Sequence, residues 1–211
     1  MRRLFALSVF VSLCFVIYAL MRVNRVVEFR GAAHLWEVLL QKDVVMIDIL
    51  QYIPLFVGLL LGIVQFVPEM LQKRLKLTLH LPYSQNRMIL LMLGMGGMML
   101  GVLFLFNYLV LGSYLYLMLA PELVMRILLT ALPWYIAGFT AYLFTAWICL
   151  EPGWRGRIVA ALMAVGVLRI FFLSDVPQAN DSMLWLFLAY TAGIVCLPFL
   201  SVRRFRDGRE D

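Results

Sequence analysis

The feature that most constrains this chain is the stretch from Met88 to Leu150, which contains only two charged residues, Glu122 and Arg126. A membrane-crossing helix needs about 20 largely apolar residues, and runs of this kind lack the polar face of a water-exposed helix. Hydrophobic residues make up 64% of the 211-residue chain and charged residues 14%, against roughly 45–50% and 25% in soluble domains. The sequence therefore predicts an all-α integral membrane protein.

Apolar runs of similar length recur along the whole chain, so we expect a single transmembrane domain covering residues 1–211. The first run follows Arg2 and Arg3, as a signal peptide would, but no small-residue cleavage site follows it, and we interpret it as a retained span. The six predicted spans are residues 4–21, 49–67, 88–111, 127–150, 158–173 and 183–202.

The basic residues predict the orientation of these spans, because lysine and arginine collect in short cytoplasmic loops. Four clusters hold 12 of the 18 basic residues. All four clusters lie on one side of the membrane only if an even number of spans, here two, separates each cluster from the next. This arrangement places both termini in the cytoplasm and makes residues 22–48 and 112–126 outer segments. We expect a bacterial inner membrane. The clusters are Arg2 and Arg3; Lys73, Arg74, Lys76 and Arg87; Arg155 and Arg157; and Arg203, Arg204, Arg206 and Arg209.

Several function classes are excluded by missing motifs. The lysines Lys42, Lys73 and Lys76 follow no glycine-rich loop, so the chain has no P-loop, and His34 and His80 have no zinc-motif partner. No hydrolase nucleophile elbow is present. The basic residues are spread over membrane-flanking loops, which argues against nucleic-acid binding. We expect a non-enzymatic chain without a metal or cofactor of its own and with membrane lipid around it.

Four methionines, Met88, Met92, Met95 and Met99, recur at helical spacing in the third span. Such a row could bind a soft ion such as Cu(I), or it could be an adaptable apolar surface for a greasy substrate. Gln65 and Asn107 are the polar residues within spans, and they are either part of a substrate pathway or hydrogen-bond partners between helices. The pairs Gly58 and Gly62, and Gly97 and Gly101, fit close helix packing within the chain or between two copies.

Residues 68–87 connect the second and third spans and are basic and amphipathic. Leu71, Leu75 and Leu79 share one helical face, and Pro82 ends the pattern. This segment could rest on the inner leaflet, with its basic residues attracted to anionic lipid. It could also bind a partner protein.

A family resemblance favours binding of this segment to a partner protein. Glu69, Arg74, Lys76, Thr78, Leu79, Leu81, Pro82 and Ser84 resemble the "E…R…TL..LP.S" stretch in permease subunits of ABC-2 type ATP-binding-cassette transporters. In that family the stretch is a coupling helix that binds a separate P-loop ATPase subunit, which holds ATP and Mg. The resemblance implies a permease, more often an exporter, that works with a second permease copy or paralogue. The implied docking residues are Glu69, Lys73, Arg74, Lys76, Thr78, Leu79, Pro82 and Ser84.

Two other functions fit the same sequence. One is a secondary transporter or channel that works without an ATPase, although the sequence shows neither an intramembrane acid suited to ion coupling nor an inverted repeat. The other is a membrane scaffold or sensor that anchors a partner through residues 69–87.

Overall fold

The computed structural model describes residues 9–14, 16–25, 50–71, 85–173 and 181–206, and these residues form helices and turns without a β-strand. The all-α prediction is confirmed for this part of the chain. A short 3-10 turn, Asp181–Met183, precedes the sixth helix. The helices are α1 (residues 9–14 and 16–25), α2 (Ile53–Leu71), α3 (Gln85–Met118), α4 (Pro121–Leu150), α5 (Trp154–Ile170), α6 (Leu184–Ile194) and α7 (Cys196–Arg206).

Four stretches of the described chain are long and apolar enough to cross a membrane: Ile53–Met70, Arg87–Met118, Pro121–Leu150 and Asp181–Val202. They coincide with the second, third, fourth and sixth predicted spans, as expected of a membrane protein. The 17 residues of α5 make a helix of about 26 Å, slightly shorter than the roughly 30 Å hydrocarbon core. The first predicted span lies partly outside the described residues, so six spans and cytoplasmic termini stay predictions.

Helix α4 forms the centre of the bundle. In a span-length stretch of α4, 72% of the residues are buried inside the protein, compared with 33% in α2 and in α3 and 17% in the span formed by α6 and α7. It packs against α2, α3, α5, α6 and α7, and its contact with α2 is the most extensive in the bundle. The other helices are therefore positioned mainly by α4.

Glycines set the distance between α2 and α4. A Cβ atom added at Gly58 would overlap the carbonyl oxygen of Gly138, so the two backbones touch. A Cβ added at Gly138 would lie 2.6 Å from the Pro54 carbonyl oxygen, and one at Gly62 would lie 2.7 Å from Cβ of Thr145. The hydrophobic effect does not drive helices together in lipid, so tight packing there depends on close approach of this kind.

Helices α3 and α4 form a long antiparallel hairpin with a very short turn. Only Leu119 and Ala120 separate them, and Pro121 occupies the first position of α4, where a missing N–H costs nothing. The backbone N–H of Val124 donates to the Ala120 carbonyl oxygen at 3.2 Å. Residues 112–118 continue α3 and residues 121–126 begin α4, so the predicted outer segment 112–126 is the tip of this hairpin.

The segments flanking α2 are described only at their ends. Residues 68–71 continue α2 and residues 85–87 begin α3. Residues 72–84, the central part of the predicted coupling segment, lie outside the described residues. The same holds for residues 26–48 of the other predicted outer segment.

Candidate functional site: an apolar cleft in the helical bundle

An apolar cleft of about 500 Å³ lies between α3 and α6, with α4 forming its base. It is about half open, and its wall is almost wholly carbon. Ligand-binding pockets in proteins typically have volumes of about 300–1,000 Å³. The lining residues are Leu90, Leu93, Gly94 and Gly97 of α3, Leu132, Tyr135, Ile136, Phe139, Tyr142 and Leu143 of α4, Leu188, Thr191 and Ala192 of α6, and Val195 at the end of α6.

Glycines make the α3 side of the cleft wide. A Cβ atom added at Gly94 or at Gly97 would meet no other atom within 4 Å. Gly96 faces the other way, and a Cβ there would overlap Gln65 and the Tyr142 hydroxyl. The three glycines therefore have two different roles: Gly96 allows close packing, whereas Gly94 and Gly97 leave the cleft unfilled.

A polar network joins α2, α3 and α4 behind the apolar wall. The side-chain amide of Gln65 donates to the Met92 carbonyl oxygen at 2.6 Å. The Tyr142 hydroxyl donates to Oε1 of Gln65 at 3.0 Å and lies 3.2 Å from the Leu93 carbonyl oxygen. Buried polar groups in a membrane must find partners inside the protein. These groups satisfy one another, so their polar atoms have partners within the protein although Leu93 and Tyr142 also line the cleft.

A second polar contact connects α6 to α4. The hydroxyl oxygens of Thr140 and Thr191 lie 2.8 Å apart, and Thr191 lines the cleft. The Thr140 hydroxyl lies 2.9 Å from the Ile136 carbonyl oxygen, and the Thr191 hydroxyl lies 2.8 Å from that of Phe187. Near the start of α6 the ring of Phe187 lies against that of Phe171, directly after α5, with centroids 4.5 Å apart.

The predicted methionine row does not line this cleft. Met88 and Met92 are partly buried against the core, whereas Met95 and Met99 are 59% and 44% exposed on the outer face of α3. The α3 residues that line the cleft, by helical spacing, occupy the opposite face of the helix. A role for the four methionines in a substrate pathway or in Cu(I) binding stays a prediction.

The two polar residues predicted within spans both make contacts between helices. Gln65 does not line the cleft, but it accepts a hydrogen bond from Tyr142, which does. Asn107 is 2% exposed and donates from its side-chain amide to the Ser12 hydroxyl at 2.6 Å, which joins α3 to α1. Among the residues that the structure describes, the Asn107 Oδ1 atom has no hydrogen-bond partner.

The two predicted glycine pairs are used differently. Gly58 and Gly62 pack against α4 within the chain. Gly97 faces the open cleft, and a Cβ at Gly101 would be in ordinary contact with the Phe139 ring at 3.6 Å. The second pair therefore brings no other described helix close to α3.

Of the predicted docking residues, only Glu69 is described, and it is half-buried near the end of α2. Lys73, Arg74, Lys76, Thr78, Leu79, Pro82 and Ser84 lie outside the described residues. Their contact with an ATPase stays a prediction.

Sequence reasoning missed Glu151, which lies in the turn between α4 and α5 and is only 4% exposed. Its carboxylate accepts a hydrogen bond from the Ser201 hydroxyl and pairs with the Arg204 guanidinium at 3.3 Å. Its backbone carbonyl oxygen accepts a hydrogen bond from Nε of Arg157 at 2.8 Å. A Cβ at Gly156 would lie 2.7 Å from Oε1 of Glu151, so a glycine is needed beside it. Glu151 thus joins the adjacent ends of α4, α5 and α7.

The described residues contain no cluster of three or more His, Cys, Asp or Glu side chains that could hold a metal ion. Comparison with known protein families, with curated proteins and with solved structures finds no match to this chain. The candidate site therefore has to be interpreted from its own residues and geometry. What it offers is a shaped, apolar, half-open space inside a membrane protein.

Proposed function

We propose that this chain is the permease subunit of an ATP-driven transporter of the ABC-2 type, located in a bacterial inner membrane. The observation that carries the proposal is the half-open apolar cleft among helices of membrane-spanning length. A scaffold or sensor has no need of an unfilled cleft among its helices. A transporter needs a space that can be occupied and vacated.

The carbon wall of the cleft indicates the class of substrate. A polar molecule would lose its hydrogen bonds to water there without replacement, at a cost of several kcal/mol per group. An apolar or amphiphilic molecule would fill the space at little cost. The proposed substrate therefore has a substantial hydrocarbon part, and Leu93, Phe139 and Leu188 from α3, α4 and α6 would contact it.

The energy source in this proposal is a partner. The sequence has no P-loop, and the resemblance of residues 69–84 to a coupling helix supports a separate ATPase subunit that binds ATP and Mg. ATP-driven closure of two such subunits would move the connected helices as rigid bodies. A second permease copy or paralogue would complete the transporter, and export is the direction that the resemblance favours.

The test is to purify the tagged protein from its native membranes in mild detergent and to reconstitute the complex in proteoliposomes. We expect a P-loop ATPase to copurify and its ATP turnover to depend on the permease. Reversing two docking charges, Arg74→Glu with Lys76→Glu, should remove the ATPase because the complementary contact becomes repulsive. The matched control reverses two charges in another predicted cytoplasmic cluster, Arg206→Glu with Arg209→Glu, and should retain it.

Unchanged ATPase binding in the Arg74 and Lys76 variant would overturn the docking role. Substrate movement by the purified chain in ATP-free proteoliposomes would overturn the ATP-driven function and establish a secondary transporter or channel.

A further inference from the structure

The last predicted span is divided at Val195 into two helices, and the backbone of Val195 itself stays in the right-handed helical region, with φ −54° and ψ −28°. Helix α6 ends at Ile194 and α7 begins at Cys196, and the backbone N–H of Val195 bonds the Ala192 carbonyl oxygen at 3.2 Å, the spacing of a 3-10 turn. Pro198 has no N–H for the Ile194 carbonyl oxygen, and its ring collides with that carbonyl in a regular helix. Sharp bends in membrane helices commonly have this cause.

The two halves are held to the bundle differently. On α7, Ser201 and Val202 are each 1% exposed, and Glu151 binds both Ser201 and Arg204. On α6, the buried residues are Phe187 and Ile194. Its polar contact with α4 is the hydrogen bond between the hydroxyls of Thr191 and Thr140. Helix α7 is therefore fixed by a buried carboxylate, whereas α6 is held by the apolar packing of Phe187 and Ile194 and by the hydroxyl contact of Thr191.

Helix α6 is also a wall of the cleft. Leu188, Thr191 and Ala192 of α6 face Gly94 and Gly97 of α3 across the space, and those glycines place no side chain in the way. A rotation of α6 about Val195 would change the width of the cleft; it would break the Thr191 contact and shift Phe187 against Ile136 and Ala137 of α4, while the contacts of α7 with Glu151 remain. Such hinges absorb a change in a few backbone angles at the end of an element.

We propose that α6 is a gate that moves about a hinge at Val195, with α7 held in place by Glu151, and that its movement opens and closes the cleft between α3 and α6. The Thr140 to Thr191 contact holds the gate closed. The use of this gate to admit or release substrate rests on the proposed function, but the movement itself does not require an ATPase or a known substrate.

The test is a distance measurement between spin labels in proteoliposomes. Cys14, Cys149 and Cys196 are first replaced with serine. One label is placed at Met98 on the exposed face of α3, and the second at Leu186 on α6 or at Leu200 on α7; all three positions are at least 50% exposed. The first pair reports on the gate, and the second pair reports on the fixed half of the same span.

Thr191→Val removes the hydroxyl that holds α6 and keeps the side-chain shape. We expect it to create or enlarge a longer-distance population for the Met98 and Leu186 pair and to leave the Met98 and Leu200 pair unchanged. Thr145→Val is the matched control, because the Thr145 hydroxyl lies 2.8 Å from the Ala141 carbonyl oxygen of its own helix. Adding Pro198→Ala to Thr191→Val should remove the longer population, since α6 could then continue into the fixed α7.

Identical distributions in the Thr191 and Thr145 variants would overturn the gate. Equal broadening of both label pairs would overturn the hinge, because the whole span would then move together. If the longer population forms but no ATPase binds the wild-type chain, the gate stands and the ATP-driven function fails. If an ATPase binds but α6 keeps one distance in every variant, the gate alone fails.

Discussion

Glu151 shows how one side chain can organise a helical bundle. It follows the most buried helix, and its carboxylate and backbone carbonyl contact Arg157, Ser201 and Arg204. A buried carboxylate is costly unless it is paired and hydrogen-bonded, and here both conditions are met. Ser201, itself 1% exposed, depends on Glu151 for its side-chain partner.

Replacing Glu151 should therefore destabilise the protein more than replacing the residue with which it is paired. We expect Glu151→Ala to lower the free energy of unfolding by about 1–3 kcal/mol, because Ser201 is left buried without its partner. Arg204→Ala should cost about 0–1 kcal/mol, because the Arg204 side chain is 61% exposed. Unfolding in detergent micelles measures both values.

Glu122→Ala is the control, since Glu122 is an exposed acid at the other end of α4, and it should have little effect. Equal losses from Glu151→Ala and Glu122→Ala would contradict the organising role of Glu151.

At the level of single residues, sequence patterns recovered local features and missed distant contacts. Gln65 and Asn107 were recognisable because polar residues inside spans need partners. Glu151 was not, because Ser201 and Arg204 lie 50 and 53 positions away and no short motif connects them. The local signal that could have singled it out is an acid placed between a long apolar run and a Pro-Gly turn.

Among the helices, the contact of α2 with α4 decides the architecture. The backbones touch at Gly58 and Gly138, where no side chain can yield by changing its rotamer. Any larger residue at either position must push the two helices apart. Since α4 also positions α3, α5, α6 and α7, the disturbance would spread through the bundle.

Gly58→Ala should therefore destabilise the protein, although alanine forms helices better than glycine. We expect a loss of about 1–3 kcal/mol from overpacking, measured as the free energy of unfolding in detergent. Gly166→Ala on α5 is the matched control, because an added Cβ there meets nothing within 4 Å. Gly166→Ala should leave the free energy of unfolding unchanged or raise it by up to about 1 kcal/mol. Similar results for the two variants would contradict the close contact between α2 and α4.

The apolar runs in the sequence located the helices but not their internal geometry. The predicted spans 49–67, 88–111 and 127–150 overlap α2, α3 and α4, because long apolar runs without charge are strong signals. The continuation of α3 to Met118 was not predicted, since its polar and aromatic end resembles an interface segment. The break at Val195 was also missed, although Pro198 was a usable signal for it.

For the whole molecule, two of the four basic clusters meet at one end of the bundle. Arg157 and Arg204 both contact Glu151, so the start of α5 and the end of α7 lie together. The charge argument requires these two clusters to share a side of the membrane. The contact places these two clusters at the same end of the bundle; that this end is cytoplasmic, and the positions of the other two clusters, stay predictions.

Reporter fusions test the orientation directly. We expect green fluorescent protein fused after Asp211 to fluoresce and alkaline phosphatase fused after Gln178 to be active, because the basic clusters should hold the C-terminus in the cytoplasm and residues 174–182 outside. Exchanging the two reporters serves as the control and should silence both. Active phosphatase after Asp211 would contradict the six-span arrangement.

The two-residue turn between α3 and α4 also affects how the protein is made. With only Leu119 and Ala120 between them, neither helix can settle in the bilayer far from the other. We therefore expect the two helices to enter the membrane as one unit. In the predicted orientation Glu122 and Arg126, which lie just beyond the turn, would cross the membrane together in that event.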